Sequence, residues 1–161
     1  MTRHRVLTIA AGAAAVSLAI PASVALRYGA DPGYSGGPAG NGQGCPACHT
    51  FDTGPGSVAL IGAPPRYRPG AVYDLTVRVS DPEQAGAGFE ISAENAAGHQ
   101  GAWVITDPLH THYPADVFAD YVTHTIDGFE ESVATWADNG GAYAYTMQWQ
   151  APDNDAGPVT L

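Results

Sequence analysis

The sequence contains no lysine, and its six basic residues are all arginine, against sixteen acidic residues. The formal net charge is −10. A surface of this sign repels the phosphates of nucleic acids and the headgroups of anionic lipids. The composition therefore argues against nucleic-acid binding, and it is explained either by solubility or by attraction of a basic partner at low salt.

Cysteine is also scarce, since Cys45 and Cys48 are the only two. Two residues are too few for the network of disulfides that supports a small secreted scaffold. Long apolar runs are missing after the N-terminus, so we expect no membrane contact beyond that first segment. No Ser-His-Asp arrangement, phosphate-binding loop or acid/base pair is evident from the spacing, and we expect that the chain is not an enzyme.

The N-terminus follows the pattern of a secretory signal peptide. Arg3 and Arg5 precede an almost uncharged apolar run that ends near residue 26, where small residues suit a signal peptidase. We expect residues 1–25 to be removed, which leaves four arginines, a net charge of −12 and a periplasmic or extracellular protein. An uncleaved anchor is the alternative, because the run approaches the roughly 20 residues that span a bilayer.

The remaining chain divides into a lead-in and one domain. Residues 26–56 are rich in Gly, Pro, Ser and Asn, which is typical of a flexible segment. Residues 57–161 carry short runs of alternating apolar and polar residues, which predict an all-β antiparallel β-sandwich. The predicted strands lie at residues 57–61, 72–80, 88–93, 102–106, 121–126, 132–136, 142–149 and 159–161. Residues 114–120 are the one helical candidate.

Several motifs of the domain occur in an order found in a known family. They are Tyr67-Arg68-Pro69-Gly70, Gly88-Phe89-Glu90, Tyr121-Val122-Thr123-His124 and Trp149-Gln150-Ala151-Pro152. On these residues, the stretch from about Val58 to Leu161 resembles the reeler-like "choice-of-anchor V" domains of bacterial exported proteins. The resemblance implies an immunoglobulin-like sandwich. It also implies a further strand beyond Leu161. Either the sequence is a fragment, or this strand is missing; in the second case we expect an open sheet edge and dimerisation or aggregation.

The chemistry of the chain is concentrated in Cys45-Pro46-Ala47-Cys48-His49, which matches the Cys-x-x-Cys-His attachment motif of a c-type haem. Two thiols about one turn apart can form thioethers with the two vinyl groups, and the adjacent His can ligate the iron. We therefore predict one covalent haem c, attached at Cys45 and Cys48 and ligated by His49, in an exported electron-transfer or haem-binding module.

Two alternatives to haem stay open at the level of sequence. Cys45 and Cys48 form a disulfide in the first, and the chain is then a non-enzymatic extracellular β-sandwich for binding or adhesion. In the second, the two thiolates hold zinc together with His49 and another His. A disulfide leaves His49 without a role, and exported thiols are usually oxidised before they bind metal.

A c-type haem for electron transfer also needs a second axial ligand, usually His or Met. We predict His124, because it shares the face of its strand with aliphatic residues and a buried imidazole needs a partner. Met147 is the thioether alternative, although its alternation with aromatic residues makes it look like a core side chain. His110 and His112 are further alternatives. An extended backbone would place both imidazoles on the same side, where they could bind copper or zinc. Their position in a solvated loop explains them without a metal.

An electron carrier of this kind needs a redox partner protein. The acidic surface favours a basic partner through long-range attraction. Neither the donor nor the acceptor is specified by the residues themselves.

Overall fold

The computed structural model describes residues 27–40, 42–49 and 54–161. The predicted signal peptide lies outside these residues. In the part that is described, no helix is long and apolar enough to cross a membrane.

The described residues contain nine strands, one α-helix and three turns of 3₁₀ helix. The strands are β1 (Ser57–Ile61), β2 (Val72–Ser80), β3 (Glu90–Ser92), β4 (Glu94–Asn95), β5 (Gly98–His99), β6 (Ala102–Val104), β7 (Thr111–His112), β8 (Tyr121–His124) and β9 (Ala142–Gln150). The α-helix, α1, spans Ile126–Thr135, and the 3₁₀ turns span Pro38–Gly40, Cys45–Ala47 and Pro114–Asp116.

All strand pairs are antiparallel, and they form three sheets. The largest has the order β1-β2-β9-β6, the second β3-β8-β7, and the third is the β4-β5 hairpin. Side chains from the first two sheets meet in one core. The prediction of an all-β antiparallel sandwich is therefore confirmed.

The core follows directly from the alternation in β2 and β9. Leu75 and Val77 point inward from β2, and Leu75 is paired with Met147 while Val77 is paired with Tyr145. Successive side chains of a strand point to opposite faces, so polar residues between them face outward. The prediction that Met147 is a core side chain is confirmed, since only 1% of it is exposed.

The predicted strand at residues 132–136 is wrong, because these residues belong to the end of α1 and its C-terminal cap. Thr125 caps the helix by accepting a hydrogen bond from the Gly128 N–H at 3.0 Å. Gly128 and Ser132, four residues apart, are the buried side of the helix. The alternation of β-branched residues suggested a strand, but this helical spacing and the capping threonine decided the conformation.

The helical candidate at residues 114–120 is also wrong beyond its first turn. Only Pro114–Asp116 forms a 3₁₀ turn. Ala115 and Asp116 have φ values of 48° and 58°, in the left-handed region, and this ends the helix.

Replacing Leu75 by Ala should lower the free energy of unfolding by about 2–5 kcal/mol, because it leaves a cavity in the packed core. Val72→Ala on the same strand is the matched control, since Val72 is 51% exposed; it should change stability by less than about 0.5 kcal/mol. Urea unfolding at pH 6 measures both. Equal losses in the two variants would contradict the assigned faces of β2.

Candidate functional site

The Cys-x-x-Cys-His motif lies on the 3₁₀ turn Cys45–Ala47 and the two residues that follow it. The N–H groups of Cys48 and His49 both donate to the carbonyl oxygen of Cys45, at 3.2 and 2.9 Å. Cys45, Cys48 and His49 all line one cavity. Both cysteines are exposed free thiols. The disulfide expected in the alternative interpretation is therefore not formed in this structure.

The lead-in is attached to the sandwich by Glu90, Ser92 and Glu94, which we call the anchor row. These are alternate residues along β3 and the start of β4, so their side chains leave the same face. Each of them bonds to the lead-in. The contacts are the Gly33 and Tyr34 N–H groups to Glu90 Oε1 at 3.2 and 2.7 Å, the Ser35 and Ser92 hydroxyls at 2.7 Å, and the Ala39 N–H to Glu94 Oε2 at 2.6 Å.

The lead-in backbone also packs closely against the anchor row. A Cβ on Gly37 would lie 2.5 Å from Glu94 Oε2, so any other residue there would displace the Glu94 carboxylate. Glu94 is 1% exposed beneath it. The lead-in was predicted to be flexible from its composition, and the structure shows that its glycines also permit this close approach.

Glu90 is the most perturbed carboxyl group of the described residues. Burial raises its pKa to about 7, opposed by the hydrogen bonds from Tyr34 and Gly33 and assisted by the negative charge of Asp31. Its Oε2 atom is buried and has no hydrogen-bond partner among the described residues. Glu90 also lines the cavity of the motif, so a carboxyl group with a pKa raised to about 7 shares this cavity with Cys45, Cys48 and His49.

The cavity has a volume of about 580 Å³, within the roughly 300–1,000 Å³ of small-molecule and cofactor sites. Three parts of the chain enclose it besides the motif: the lead-in, the segment before β3, and the β8-α1 region. The lining outside the motif is mostly apolar or small, and includes Ala30, Tyr34, Ala85, Gly86, Ala87, Gly88, Phe89, Phe129 and Val133. A second cavity of about 510 Å³ lies next to Cys45 and His49, so the motif stands between two open spaces.

His124 lies in the same cavity as the motif, at the end of β8. It is 6% exposed, and its ring is surrounded by the rings of Phe89, Phe129 and Tyr145 at centroid distances of 6.4, 6.0 and 6.2 Å. The Phe89 N–H donates to Nδ1 at 3.2 Å, and the Phe89 carbonyl oxygen is 3.4 Å from the same atom. The backbone of Phe89 can thus serve either tautomer, including the one with a proton on Nδ1 and a lone pair on Nε2.

The structure separates the other predicted ligands from this cavity. Met147 is in the sandwich core. His110 lies between Asp107 and Glu131, at 2.7 and 2.8 Å from its two ring nitrogens. The hydrogen bond to Asp107 is the main cause that raises the pKa of His110 and favours the cationic imidazole, which is not a metal ligand.

His112 is engaged in the same way as His110, through both nitrogens. Nδ1 is 3.1 Å from Asp116 Oδ1, and Nε2 is 2.9 Å from the carbonyl oxygen of Tyr28. Throughout residues 27–40, 42–49 and 54–161, no group of three or more His, Cys, Asp or Glu side chains is arranged to hold a metal ion. These described residues therefore provide no set of three ligands for zinc at the motif or for copper at His110 and His112.

Several residues of the cavity were not recognised as part of a site from the sequence. Phe129 and Val133 come from α1; the alternation had assigned Val133 to a strand at residues 132–136 and Phe129 to no element. Glu90 was noted only as part of a family motif. The run of small residues before Phe89 was the available signal, because glycines without a turn often mark a close approach.

The chain matches no protein-family model and no curated protein sequence. Solved structures that are similar to it include two domains of F-spondin. One is the human F-spondin reeler domain (fragment 2), with a TM-score of 0.46 and 22% identity over 71% of this chain and 76% of that one. The other is the Reelin-N domain of F-spondin, with a TM-score of 0.42 and 23% identity over 65% and 66% of the two chains. The resemblance to choice-of-anchor V domains stays a prediction.

Glu90→Gln should remove a pH dependence of stability in the haem-free protein. Because burial raises the pKa of Glu90 from 4.5 to about 7, its contribution is fully present below pH 4.5 and is lost as pH rises through 7. The difference in unfolding free energy between Glu90→Gln and the wild type should therefore shift in favour of the glutamine variant between pH 5 and pH 8. Urea unfolding at these pH values measures it, with Glu83→Gln in an exposed turn as control. The idea fails if the difference is the same at both pH values.

Proposed function

We propose that this chain is an exported, non-enzymatic β-sandwich module that carries one covalent c-type haem and passes single electrons. One observation carries the proposal. A single, mostly apolar cavity is lined by Cys45, Cys48 and His49 and also by His124. His124 is distant from the motif in sequence, so their meeting in one cavity is a property of the fold.

The residues of the motif fit the group that the proposal requires. Thioether formation needs two reduced thiols that the vinyl groups can reach, and Cys45 and Cys48 are free and exposed. A proximal ligand needs a neutral imidazole next to the second thiol, which is His49. The bound haem would supply an iron that changes its oxidation state by one electron.

The sandwich supplies the apolar surface that a macrocycle needs and that the motif itself lacks. Phe89 contributes it from the segment before β3, and Phe129 and Val133 contribute it from α1. The low polarity of such a wall favours the less charged, reduced state of a bound iron. The chain's own residues therefore exclude water from part of the site and influence its potential.

His124 is the residue that would provide the second protein ligand to the iron of a bound haem. It lines the cavity, whereas Met147 lies in the core, and His110 and His112 are bonded to carboxylates outside the cavity. The Phe89 carbonyl oxygen near Nδ1 would orient the ring by accepting a hydrogen bond from the Nδ1–H. Electron exchange would take place with a partner protein, and the strongly acidic composition favours a basic one.

A second candidate function is an extracellular binding or adhesion module without haem. The observation that favours it is the loop after β7, where two consecutive residues, Ala115 and Asp116, hold left-handed φ values. Such strain costs energy and clusters at functional sites. The loop presents Val117 and Phe118, which are 72% and 45% exposed, as apolar contacts for a partner.

The full-length chain, produced in a bacterial host with a cytochrome c maturation system, should acquire one covalent haem. Intact mass should rise by the mass of one haem, and the alkaline pyridine spectrum of the denatured protein should show a c-type band. Cys45→Ser/Cys48→Ser is the control and should carry none. A wild-type protein of unmodified mass in that host would contradict the haem function and favour the binding module.

In the haem-loaded protein, His124→Ala should convert a low-spin spectrum into a high-spin one, because the strong-field second ligand is removed. Met147→Leu is the matched control, since it conserves core volume and should leave the spectrum unchanged. Optical spectra and electron paramagnetic resonance of the oxidised proteins distinguish the states. An unchanged low-spin spectrum in His124→Ala would assign the ligand elsewhere.

A further inference from the structure

We propose that Gly88 is a positioning residue for His124: it leaves the space in which the imidazole lies, and so sets where the ring faces the Cys-x-x-Cys-His motif. This inference rests on the proposed function, in which His124 ligates the iron. It concerns a residue that takes no part in binding by itself.

The contact between Gly88 and the ring is direct. A Cβ atom placed on Gly88 would meet His124 Cε1 in a severe clash and would lie 2.7 Å from Nδ1 and 2.8 Å from Nε2. Real Cβ atoms do not approach other heavy atoms so closely, so either the ring or the backbone would have to shift. The imidazole therefore occupies the space that a side chain on residue 88 would need.

The backbone conformation does not explain why this residue is glycine. Gly88 is not among the residues with positive φ, in contrast to Gly101 at 75°. Any L-residue could adopt the backbone of residue 88. The requirement for glycine at this position comes from the space that the ring of His124 occupies.

The groups around the His124 ring restrict how it can move away from a methyl group on residue 88. Phe89, Phe129 and Tyr145 surround it, and the Thr123 hydroxyl is 3.5 Å from Nδ1. Close-packed surroundings transmit such a displacement instead of absorbing it. A methyl group on residue 88 should thus displace Nε2 or rotate the ring of His124 relative to the motif.

Gly44→Ala provides a matched control. Gly44 directly precedes the motif, has a φ of −139°, and its added Cβ would find its nearest atom, Pro46 Cδ, at 3.6 Å. This is an ordinary van der Waals distance. Comparing Gly88→Ala with Gly44→Ala separates displacement of the ring from the mere addition of a methyl group near the cavity.

The first experiment compares the oxidised, haem-loaded full-length proteins by optical and electron paramagnetic resonance spectroscopy. Gly88→Ala should lose most of the low-spin signal, whereas Gly44→Ala should keep it. A wild-type low-spin spectrum in Gly88→Ala would overturn the inference while leaving the haem function intact.

A second experiment does not depend on the clash that could prevent Gly88→Ala from folding. In His124→Ala, added imidazole should enter the space of the missing ring and restore the low-spin spectrum. In His124→Ala/Gly88→Ala, the methyl group of the new alanine no longer clashes with a ring, so the double variant can fold. The methyl group still fills part of the space left by the imidazole of His124, and added imidazole should therefore bind at least about tenfold more weakly than in His124→Ala. Equal imidazole affinity in the two variants would overturn the inference.

The haem-free proteins supply a readout that separates this inference from the proposed function. The ring signals of His124 in nuclear magnetic resonance spectra, assigned with His124→Ala, should shift in Gly88→Ala and stay in place in Gly44→Ala. If the wild type binds no haem but this shift occurs, the positioning role holds and the haem function fails. If the signals are unchanged in Gly88→Ala, the positioning role is wrong.

Discussion

The attachment of the lead-in to the anchor row is the interaction on which the site depends. The segment from residue 27 to 49 has few apolar side chains and cannot bury enough surface to hold itself in place. Backbone N–H groups of this segment instead donate to Glu90 and Glu94, and the Ser35 hydroxyl bonds to Ser92. Without these bonds the motif would have no defined position relative to the sandwich, and the cavity would lose one of its walls.

This form of attachment has an electrostatic cost. Glu90 and Glu94 are removed from water in a chain with few cations, and burying a carboxylate is unfavourable unless hydrogen bonds compensate. Compensation is incomplete, since Glu90 Oε2 and Glu94 Oε1 are buried without a hydrogen-bond partner among the described residues. His99, whose Nδ1 is 3.7 Å from Glu94 Oε1, supplies the nearest positive charge when it is protonated. The raised pKa of Glu90 is the measurable sign of the same cost.

The opposite wall of the cavity depends on the fit between α1 and the segment before β3. Ser132 accepts a hydrogen bond from the Ala87 N–H at 3.1 Å, and its hydroxyl lies within donating distance of the carbonyl oxygens of Phe129 and Ala87, at 2.7 and 3.2 Å. Tyr145 donates to the Ala87 carbonyl oxygen at 2.6 Å. These bonds hold residues 86–88 against the helix, where there is room only for small side chains. A site with one hydrogen-bonded wall and one apolar wall can orient a planar group and still shield it from water.

The sequence alone determined the sandwich, the motif and the core character of Met147, because each depends on local information. Strands such as β2 are recognised by the alternation of apolar and polar residues with period two, and five consecutive residues define the attachment motif. Tertiary structure decided the rest. Residues 126–135 form a helix because Thr125 caps it with a hydrogen bond and because Gly128 and Ser132 are buried on one side. The alternation of β-branched residues at 132–136 had instead suggested a strand. The meeting of His124 with the motif, the role of Glu90 and the space at Gly88 depend on residues that are 36 to 79 positions apart, and no local pattern records which distant atoms will occupy the same space.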